Sequence, residues 1–597
     1  MEKAGYRTLK LASKFPYPFF SRGFSLGVVC ALLWGALLSA CASPQADRDS
    51  GPSGLYGVRT VSFDKNGGDT EAEPSRMTLL SSADTLAYLP EEPTRRGFRF
   101  VGWNTERDGS GERFTENTRI DVDIILIVYA QWKPVLNFEV SYSGTLLTPL
   151  PEERFSTVGV VVSGFQNEAD VRSVALAINP PEGLKLKEVR NLESARNTRS
   201  FAVTLEYNGV TAFPGGTASI RLNLVPEDYP HEEAYIHLRV VDGQEATRPI
   251  VLHEGNIKNF NHFANTKGGL KLHYRLTEDI RLEAPVAPAT SNWTPIGKYV
   301  NNFNDDAFAG GFDGGGFKIA GLTLRSPDSD YLGFFGIAVT GAEIKNLGLE
   351  EVHISGRDDV GSLVGRSNGG TVQNSYAVGS VEGHNIVGGL VGYNDGGTVQ
   401  NSYAIGSVSG AWSVGGLVGN SNGTVQNSYA TGSVSGTDRV IGGLVGMNNS
   451  GTVQNSYATG SVSSTNKIVG GLIGSNSGTV RNSVALNSSV TQTADTTDLG
   501  RVAGGTGGSW ATSTEQNNYA RAMMMRNNNG ATYEPSVIGA NSKDGTTVSP
   551  GTGTGQYNNI AFWRGVFQNF DNHWQWNVTS RLPVLRNVGG AQNHTAP

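Results

Sequence analysis

Two His residues followed by Glu come closest to a zinc site in this chain. A zinc hydrolase helix carries a second His one turn after the first, so that both imidazoles reach one metal. Here Tyr235 stands four positions after His231, and Ile257 stands four positions after His253. The other His residues up to His273 have spacings that fit no standard ligand set. We therefore expect neither a metal nor another cofactor.

A serine nucleophile is suggested by Gly419–Gly423, which formally matches the Gly-x-Ser-x-Gly elbow of serine hydrolases. The corresponding stretches nearby, 392–396 and 446–450, lack the serine, and the pattern around them is not strand–turn–helix. We interpret the match as a chance feature of a repeat. The sequence contains no other nucleophile motif that we would assign, so we predict no catalytic residue.

Carboxylates offer a third chemistry, because some β-solenoids cleave acidic polysaccharides with acids and bases on one face. The candidates are Asp358, Asp359, Asp395 and Asp438, in variable segments where charge is usually a solvated surface. The sequence shows no matching cluster of Lys or Arg for substrate carboxylates. A glycan-active β-helix enzyme is therefore only a second alternative, which depends on whether Asp358, Asp395 and Asp438 share a face.

The elements that must position these residues are repeats. The tetrapeptide Asn-Ser-Tyr-Ala begins at Asn374, Asn401, Asn427 and Asn455, and a degraded copy begins at Asn482. The first four copies are separated by 27, 26 and 28 positions. A period in this range is typical of stacked repeats, which makes a surface-presenting array more plausible than a globular enzyme.

Each repeat reads as three short apolar pieces bounded by Gly, Asn or Ser, which are turn residues. None has an apolar stripe long enough for a helix. The pattern predicts an all-β fold: a parallel β-solenoid (β-helix) of about 27-residue coils, with neighbouring coils roughly 4.8 Å apart. The recurring Asn would stack on its copies and hydrogen-bond along the row.

The repeat also resembles a known family. Gly415–Gly419 followed by Gly423–Val434 is similar to the GLUG repeat of bacterial surface proteins, which also occurs in the non-catalytic part of immunoglobulin-cleaving metallopeptidases. The resemblance covers residues 251–590 and implies a solenoid. Three segments upstream resemble the usual lead-in to such arrays: Tyr274–Ile280, Trp293–Gly297 and Phe312–Gly316.

One row of aromatic residues could bind a ligand. Equivalent positions in a solenoid form a row about 5 Å apart. If this row faces outward, it is a flat aromatic stripe suited to sugars or to a partner protein. If it faces inward, it is a stacked core, and the sequence leaves both possibilities open. The row consists of Tyr376, Tyr403, Tyr429 and Tyr457.

The open ends of a solenoid must be covered. Before the array, Ile257, Phe260 and Ala264 have helical spacing within residues 256–265, which predicts a short capping helix. After the array, residues 562–576 are rich in Phe and Trp. We interpret that segment as a buried cap, with an exposed aromatic binding patch as the alternative.

The start of the chain indicates export. Residues 1–40 have a basic beginning and an apolar run, Leu26–Leu38, as a secretory signal does. Leu38–Cys41 resembles the bacterial lipobox, which implies lipid attachment at Cys41 and a membrane partner. An ordinary signal peptide or an N-terminal anchor helix is the alternative. The Ser-, Pro- and Gly-containing stretch 41–55 reads as the lipidated Cys and a flexible tether.

Charge limits the choice of partner. The chain has a formal net charge of −7, and removal of residues 1–40, with five basic residues and one acidic residue, would make it −11. An acidic chain without a basic cluster argues against nucleic-acid binding. Only Cys41 would remain of the two Cys, so disulfides cannot stabilise the mature chain.

Two modules precede the array. Residues 56–132 resemble the Listeria–Bacteroides repeat, a small module of exported bacterial proteins with a β-grasp-like fold. For residues 133–250, irregularly spaced strands separated by Pro and Gly predict a β-sandwich-like module. Residues 591–597 are a short tail. The first resemblance rests on four pieces: Val61–Gly68, Pro93–Phe98, Gly102-Trp103 and Tyr129–Trp132.

These observations together predict a membrane-anchored bacterial lipoprotein of the outer membrane or cell surface. We expect it to be a non-catalytic, adhesin-like binding protein that presents the solenoid to a host protein, a matrix protein or a glycan. A structural or accessory envelope lipoprotein is the first alternative. The adhesive role comes from the resemblance, because solenoids host many functions.

Overall fold

The computed structural model describes residues 58–592 apart from short gaps. The predicted signal segment, the lipid attachment at Cys41 and the tether lie outside the described residues. Among the helices that the structure describes, none is long and apolar enough to cross a membrane. The gaps are 80–82, 122–124, 144–145, 193–194, 196, 228, 300–305, 466–467, 494–497, 506–512, 523, 529–530, 533–534 and 536–537.

The first module is one five-stranded sheet. Its first and last strands pair in parallel at the centre, and each has an antiparallel neighbour outside. The core packs Phe63 against Trp103, with ring centroids 4.9 Å apart. This order suits the predicted β-grasp-like sheet, although the described residues of the module contain no helix. In sheet order the strands are Arg76–Thr78, Thr60–Asp64, Ile125–Pro134, Phe98–Asn104 and Arg113–Phe114.

The second module is a β-sandwich of two four-stranded sheets around one core. A helix, Glu168–Ser173, and a 3-10 turn, Pro214–Gly216, connect its strands. The first sheet contains Leu184–Asn191, Thr198–Tyr207, Phe155–Ser163 and Asn137–Ser143. The second contains Leu146–Leu147, Ala234–Val240, Thr217–Val225 and Ala175–Ile178.

The third module is a parallel β-solenoid, as predicted, with four sheets that run along its length. The ten-stranded sheet contains Ile250–Leu252, His273–Leu276, Gly311–Asp313, Glu343–Lys345, Thr371–Gln373, Thr398–Gln400, Thr424–Gln426, Thr452–Gln454, Thr479–Arg481 and Thr514–Gln516. The seven-stranded sheet contains Phe335–Val339, Val364–Asn368, Val391–Asp395, Val418–Ser421, Val445–Asn448, Ile473–Asn476 and Ala503–Gly505. The six-stranded sheet contains Val360–Gly361, Ile386–Gly388, Ser413–Gly415, Val440–Gly442, Ile468–Gly470 and Leu499–Gly500.

The sixteen-stranded sheet is the longest face of the solenoid. Its final pair is antiparallel, whereas the coils themselves pair in parallel. Its strands are Ile280–Arg281, Lys318–Ala320, Thr323–Arg325, Gly348–Ser355, Tyr376–Glu382, Tyr403–Gly410, Tyr429–Ala430, Val434–Gly436, Tyr457–Ala458, Val462–Ser464, Val484–Ala485, Ser489–Gln492, Tyr519–Arg521, Met525–Asn528, Ala531–Thr532 and Thr546–Val548.

A repeat coil has four strands, or five where the strand of the sixteen-stranded sheet is interrupted, so the three pieces expected from the sequence were too few. One coil consists of Thr398–Gln400, Tyr403–Gly410, Ser413–Gly415 and Val418–Ser421. Asn401, at φ 47°, turns the chain between the first two strands. Asn tolerates this left-handed conformation better than most residues, which explains its recurrence at the corner.

The Asn corners also bond to one another, as predicted. Asn401 Nδ2 donates to Asn374 Oδ1 at 3.2 Å, and Asn374 Nδ2 donates to Asn346 Oδ1 at 3.2 Å. Farther along the array, Asn455 Nδ2 donates to Asn427 Oδ1 at 3.3 Å. These bonds connect successive coils at the corner between the first two strands of each coil.

The Ser of each block fills the gap that the corner leaves in the ladder. Ser402 Oγ accepts the Ser375 N–H at 3.2 Å and donates to the Gln400 carbonyl at 2.7 Å. Ser428 and Ser456 repeat this arrangement. The Ser side chains are fully buried, so each hydroxyl satisfies a backbone N–H that water cannot reach.

A glutamine ladder runs along the outside of the ten-stranded sheet. Each Nε2 donates to the Oε1 of the preceding coil, at 2.7–3.0 Å. A carboxylate, which only accepts, begins the ladder, and a guanidinium, which only donates, ends it. The charged ends therefore set the direction of every amide between them. The members are Glu343, Gln373, Gln400, Gln426, Gln454 and Arg481.

The N-terminal end of the solenoid is covered as predicted. The helix Ile257–Ala264 buries Ile257, Phe260 and Ala264 against the core, and a 3-10 turn, Gly269–Lys271, follows it. Leu150 of the sandwich belongs to the same core, so the second module also packs on this end.

The C-terminal end is covered by residues 538–545, which precede Thr546–Val548. The Arg501 guanidinium is buried there, and its Nη2 donates to the Gly545 carbonyl at 3.1 Å. Asp544 Oδ1 accepts the Arg501 N–H at 3.1 Å. Two helices, Ile560–Val566 and Phe570–His573, and a hairpin, Trp574–Asn577 with Leu582–Leu585, follow this loop.

Replacement of Gly416 by Ala should destabilise the array. An added Cβ would lie 2.2 Å from the Gly443 carbonyl oxygen of the next coil, and that backbone cannot move without breaking the ladder. We expect a loss of about 2–3 kcal/mol, seen as an earlier transition in chemical unfolding. The control is Gly565→Ala, where nothing lies within 4 Å of the new Cβ. Equal midpoints for the two variants would contradict the steric argument.

Ser402→Ala should cost about 1–3 kcal/mol, because the buried Ser375 N–H loses its acceptor. Ser407→Ala is the matched control, since Ser407 is exposed on the strand that follows Ser402 and its change should stay within about 0.5 kcal/mol. Thermal unfolding followed by circular dichroism compares the two. A Ser402 variant as stable as the control would show that the hydroxyl row contributes nothing.

Candidate functional site

The tyrosine row is buried, so the candidate exposed binding stripe is wrong. Tyr376 is 4% exposed, and Tyr403, Tyr429 and Tyr457 are 0% exposed. Their rings stack with centroids 4.9–5.0 Å apart and interplanar angles of 5–8°. The pairing is in register from coil to coil, as the period predicts.

What covers the row is the lateral cap, residues 557–592, which folds back along the sixteen-stranded sheet. Tyr403 OH donates to the Gly589 carbonyl at 2.8 Å, and Tyr457 OH donates to the Pro583 carbonyl at 2.7 Å. Burial raises the pKa of these phenols, so the hydroxyls remain protonated donors.

The aromatic segment 562–576 is thus a buried cap, as preferred from the sequence. Trp563 and Trp574 lie against the Tyr457 ring, at centroid distances of 5.4 and 5.7 Å. Its position was not predicted. The sequence indicated a cap for the open end of the array, whereas the segment also covers one side of it. The residues that repeat most faithfully therefore serve packing.

Of the four carboxylates named for catalysis, Asp359 and Asp395 share one guanidinium, whereas Asp438 lies apart from Asp358. Asp395 accepts from the Arg366 guanidinium at 3.2 Å, and Asp359 accepts from the same group at 3.0 Å. Asp438 lies three coils beyond Asp358, which is roughly 14 Å along the stack at about 4.8 Å per coil. The acid pair of a glycosidase needs about 5–9.5 Å. Burial raises the pKa of Asp359 to about 6, against the opposing effect of Arg366.

The other chemical motifs are structural. Ser421 is fully buried, and its hydroxyl donates to the Gly423 carbonyl at 3.3 Å and accepts from Asn394 Nδ2 at 3.2 Å. It is a corner hydroxyl of the solenoid rather than an exposed nucleophile. Among the described residues, no group of three His, Cys, Asp or Glu side chains could hold a metal.

The candidate site that remains is a groove of about 480 Å³ on the sixteen-stranded sheet. It crosses five coils, because equivalent short segments line it in each: 382–384, 409–411, 435–437, 463–465 and residues 491 and 493. Successive coils are about 4.8 Å apart, so the groove extends roughly 19 Å along the array.

Small and hydroxylated side chains shape the groove. Gly383, Gly410 and Gly436 line it, and a side chain at these positions would collide with the apolar residues beneath: Val387, Val414 and Ile441. Ser409, Ser435, Ser463 and Thr491 provide hydroxyl groups at intervals of one coil. Hydroxyls both donate and accept, so a row of them suits a ligand with repeated polar groups.

An indole lies beside this groove. Trp412 follows Ala411, which lines the groove, and 41% of its surface is exposed. The Arg439 guanidinium lies 4.4 Å from the centre of its ring and supports one face of it. His384 lines the groove one coil earlier, and its backbone carbonyl accepts the backbone N–H of Trp412 at 3.1 Å.

Sequence reasoning missed this groove. Its residues are Gly, Ser and Thr in the segments between strands, which read as ordinary turns. Only the register shows that they form one line. One available signal was Gly383, Gly410 and Gly436, which recur at equivalent positions as the corner glycines do. Another was Trp412, at a corner where the other copies carry no aromatic residue.

Family comparisons identify two modules. Residues 60–131 match the Listeria-Bacteroides repeat domain. Residues 383–409 and 410–435 match the GLUG motif. Both matches agree with the resemblances read from the sequence, and the two GLUG motifs correspond to successive coils that line the groove.

Individual relatives match only in part. Halomucin of Haloquadratum walsbyi is 34% identical over 324 residues, which are 53% of this chain and 3% of that protein. A "Putative Gly-rich membrane protein" of Evansella cellulosilytica is 31% identical over 126 residues, 21% of this chain and 13% of that one. The chain thus spans a small part of the length of both relatives.

A solved structure titled as a putative immunoglobulin A1 protease from Bacteroides ovatus aligns with a TM-score of 0.40 and 19% identity. The alignment covers 58% of this chain and 94% of that one. The family matches alone assign a Listeria-Bacteroides repeat domain and GLUG motifs to this chain, and the structure shows that the GLUG motifs form coils of a parallel β-solenoid.

Proposed function

We propose that this chain is a non-catalytic, surface-displayed binding protein that presents its solenoid to a ligand outside the cell. A lipid on Cys41 would anchor it, and the two small modules would hold the array away from the membrane. The observation that carries the proposal is the groove across five coils, with Trp412 exposed beside it. The ligand class that suits a row of hydroxyls and an indole is a glycan.

Rigidity supports a role in presentation. The core of the solenoid is continuous from the N-terminal helix to the last coils, and the lateral cap bonds to the tyrosine row along its length. A rigid array keeps the groove preformed, so binding need not order it. This is the advantage of a solenoid for recognition of an extended polymer.

The names of two relatives agree in general terms with a location at the cell surface or membrane. Two relatives carry names that refer to a mucin and to a membrane protein. A secretory segment followed by a lipobox-like Cys41 in this sequence agrees with export to the envelope. The three coils between Asp358 and Asp438, and the pairing of Asp359 and Asp395 with Arg366, favour binding over glycan cleavage.

Display can be tested by protease shaving of intact cells. We expect the solenoid of the wild-type protein to be lost from the cell surface, and the Cys41→Ala protein to be released from membranes, because the variant cannot be lipidated. Antibody against the array detects both results. An array that stays protected in intact wild-type cells would place it inside the envelope and favour the structural alternative.

Binding through the groove can be tested with Trp412→Ala. On a glycan array, and on immobilised matrix proteins, this variant should lose about fivefold to tenfold in affinity, the value of one stacking side chain. Tyr88→Ala is the matched control, because Tyr88 is an exposed aromatic residue of the first module. Equal binding by all three proteins would exclude the groove, and no binding by the wild type would favour a structural role.

A further inference from the structure

A second surface lies where the sandwich meets the solenoid. A cleft of about 620 Å³ separates the sandwich strand Ala234–Val240 and the 213–217 turn from the first coils. Three guanidinium groups line it, and they come from distant positions: Arg239, Arg248 and Arg275. The sequence showed no basic cluster because these residues meet only after the two modules have packed.

The three arginines differ in how closely a carboxylate approaches each guanidinium. No described residue forms an ion pair with Arg239, which is exposed on its strand. Arg248 lies 3.3 Å from Glu245 and donates to the Phe213 carbonyl at 3.2 Å. Arg275 is half exposed, and its ion pair with Asp313 is long, at 4.0 Å.

The cleft is therefore positive in a chain that is negative overall. Three guanidinium groups face two carboxylates, whereas the whole chain has a formal net charge of −7. Arginine has a planar set of donors that matches a carboxylate or a sulfate. A cleft wall of low polarity strengthens such contacts relative to open water.

Aromatic side chains continue from this cleft along the same strand. Alternation places Tyr235, His237 and Arg239 on the outer face, about 6.6 Å apart. The Tyr235 and His237 rings stack, with centroids 5.9 Å apart and an interplanar angle of 20°. Tyr142 reaches the same place from the other sheet, and its hydroxyl accepts the His237 N–H at 3.2 Å.

We infer that this surface binds an acidic polysaccharide. A sugar ring would lie against Tyr235 and His237, and the carboxylate or sulfate of the next unit would enter the arginine cleft. Aromatic faces and guanidinium groups in one line are what such a polymer requires, since it alternates apolar ring faces with anionic groups. The site is separate from the solenoid groove and goes beyond the function proposed for it.

The test is binding of the purified full-length protein to polygalacturonate, which carries carboxylates, and to dextran sulfate, which carries sulfates. Uncharged dextran and single-stranded DNA are the comparison probes. We expect Arg239→Ala and Arg275→Ala each to weaken binding about tenfold, as loss of a hydrogen bond to a charged group does. Arg190→Ala, which removes an exposed charge from the opposite sheet, should bind as the wild type does.

Two further variants separate the parts of the argument. Tyr235→Ala should weaken polygalacturonate binding while leaving the unfolding transition unchanged, because the ring is exposed. Trp412→Ala should leave acidic polysaccharide binding intact, so failure of this site and failure of the solenoid groove are distinguishable. The arm that binds, carboxylate or sulfate, identifies the anionic group.

Three results would overturn the inference. One is equal binding by wild type, Arg239→Ala and Arg275→Ala. Another is arginine-dependent binding of single-stranded DNA as tight as that of either polysaccharide, which would indicate a general polyanion surface. The third is binding that does not weaken between about 0.05 and 0.2 M salt, because contacts between exposed charges are screened over that range.

Discussion

The hydrogen bonds between equivalent residues of successive coils are the constraint on which the rest of this molecule depends. Parallel in-register pairing places each side chain over its copy in the coil before, at a spacing of about 4.8 Å. Every residue type in the repeat must therefore tolerate its own kind as a neighbour. Valine and leucine form apolar rows, amides form ladders, and the tyrosines stack at 4.9–5.0 Å.

This constraint determines which positions of the repeat can vary from coil to coil. Positions that face the core keep the same residue in each coil, and so does the corner formed by Asn and Ser. Asn, Ser, Tyr and Gly therefore recur there. A charged residue would face its own copy at about 5 Å if it recurred, which is unfavourable. Charges therefore do not recur from coil to coil: Glu343 and Arg481 stand only at the two ends of the glutamine ladder, and Trp412 and Arg439 lie at a corner that varies. The recognition that we propose for the solenoid uses such a variable corner.

The modules in front of the array also form part of its surface. Leu150 of the sandwich lies in the solenoid core, and Asn256 of the first coils donates to Glu153 at 2.8 Å. Such contacts fix the arginine cleft between the two modules. An overall acidic charge thus coexists with a local positive site, which composition averages away.

The sequence by itself determined the period, the all-β class, the parallel solenoid, the N-terminal helix over Ile257–Ala264 and the two module resemblances, because these follow from local pattern and repetition. Whether the tyrosine row faced outward, and where the cap 562–576 lay, were decided only by the tertiary structure. Both depend on contacts between residues more than a hundred positions apart, such as Tyr457 with Pro583. The groove and the arginine cleft follow the same rule, since register and module packing bring together residues that no local pattern relates.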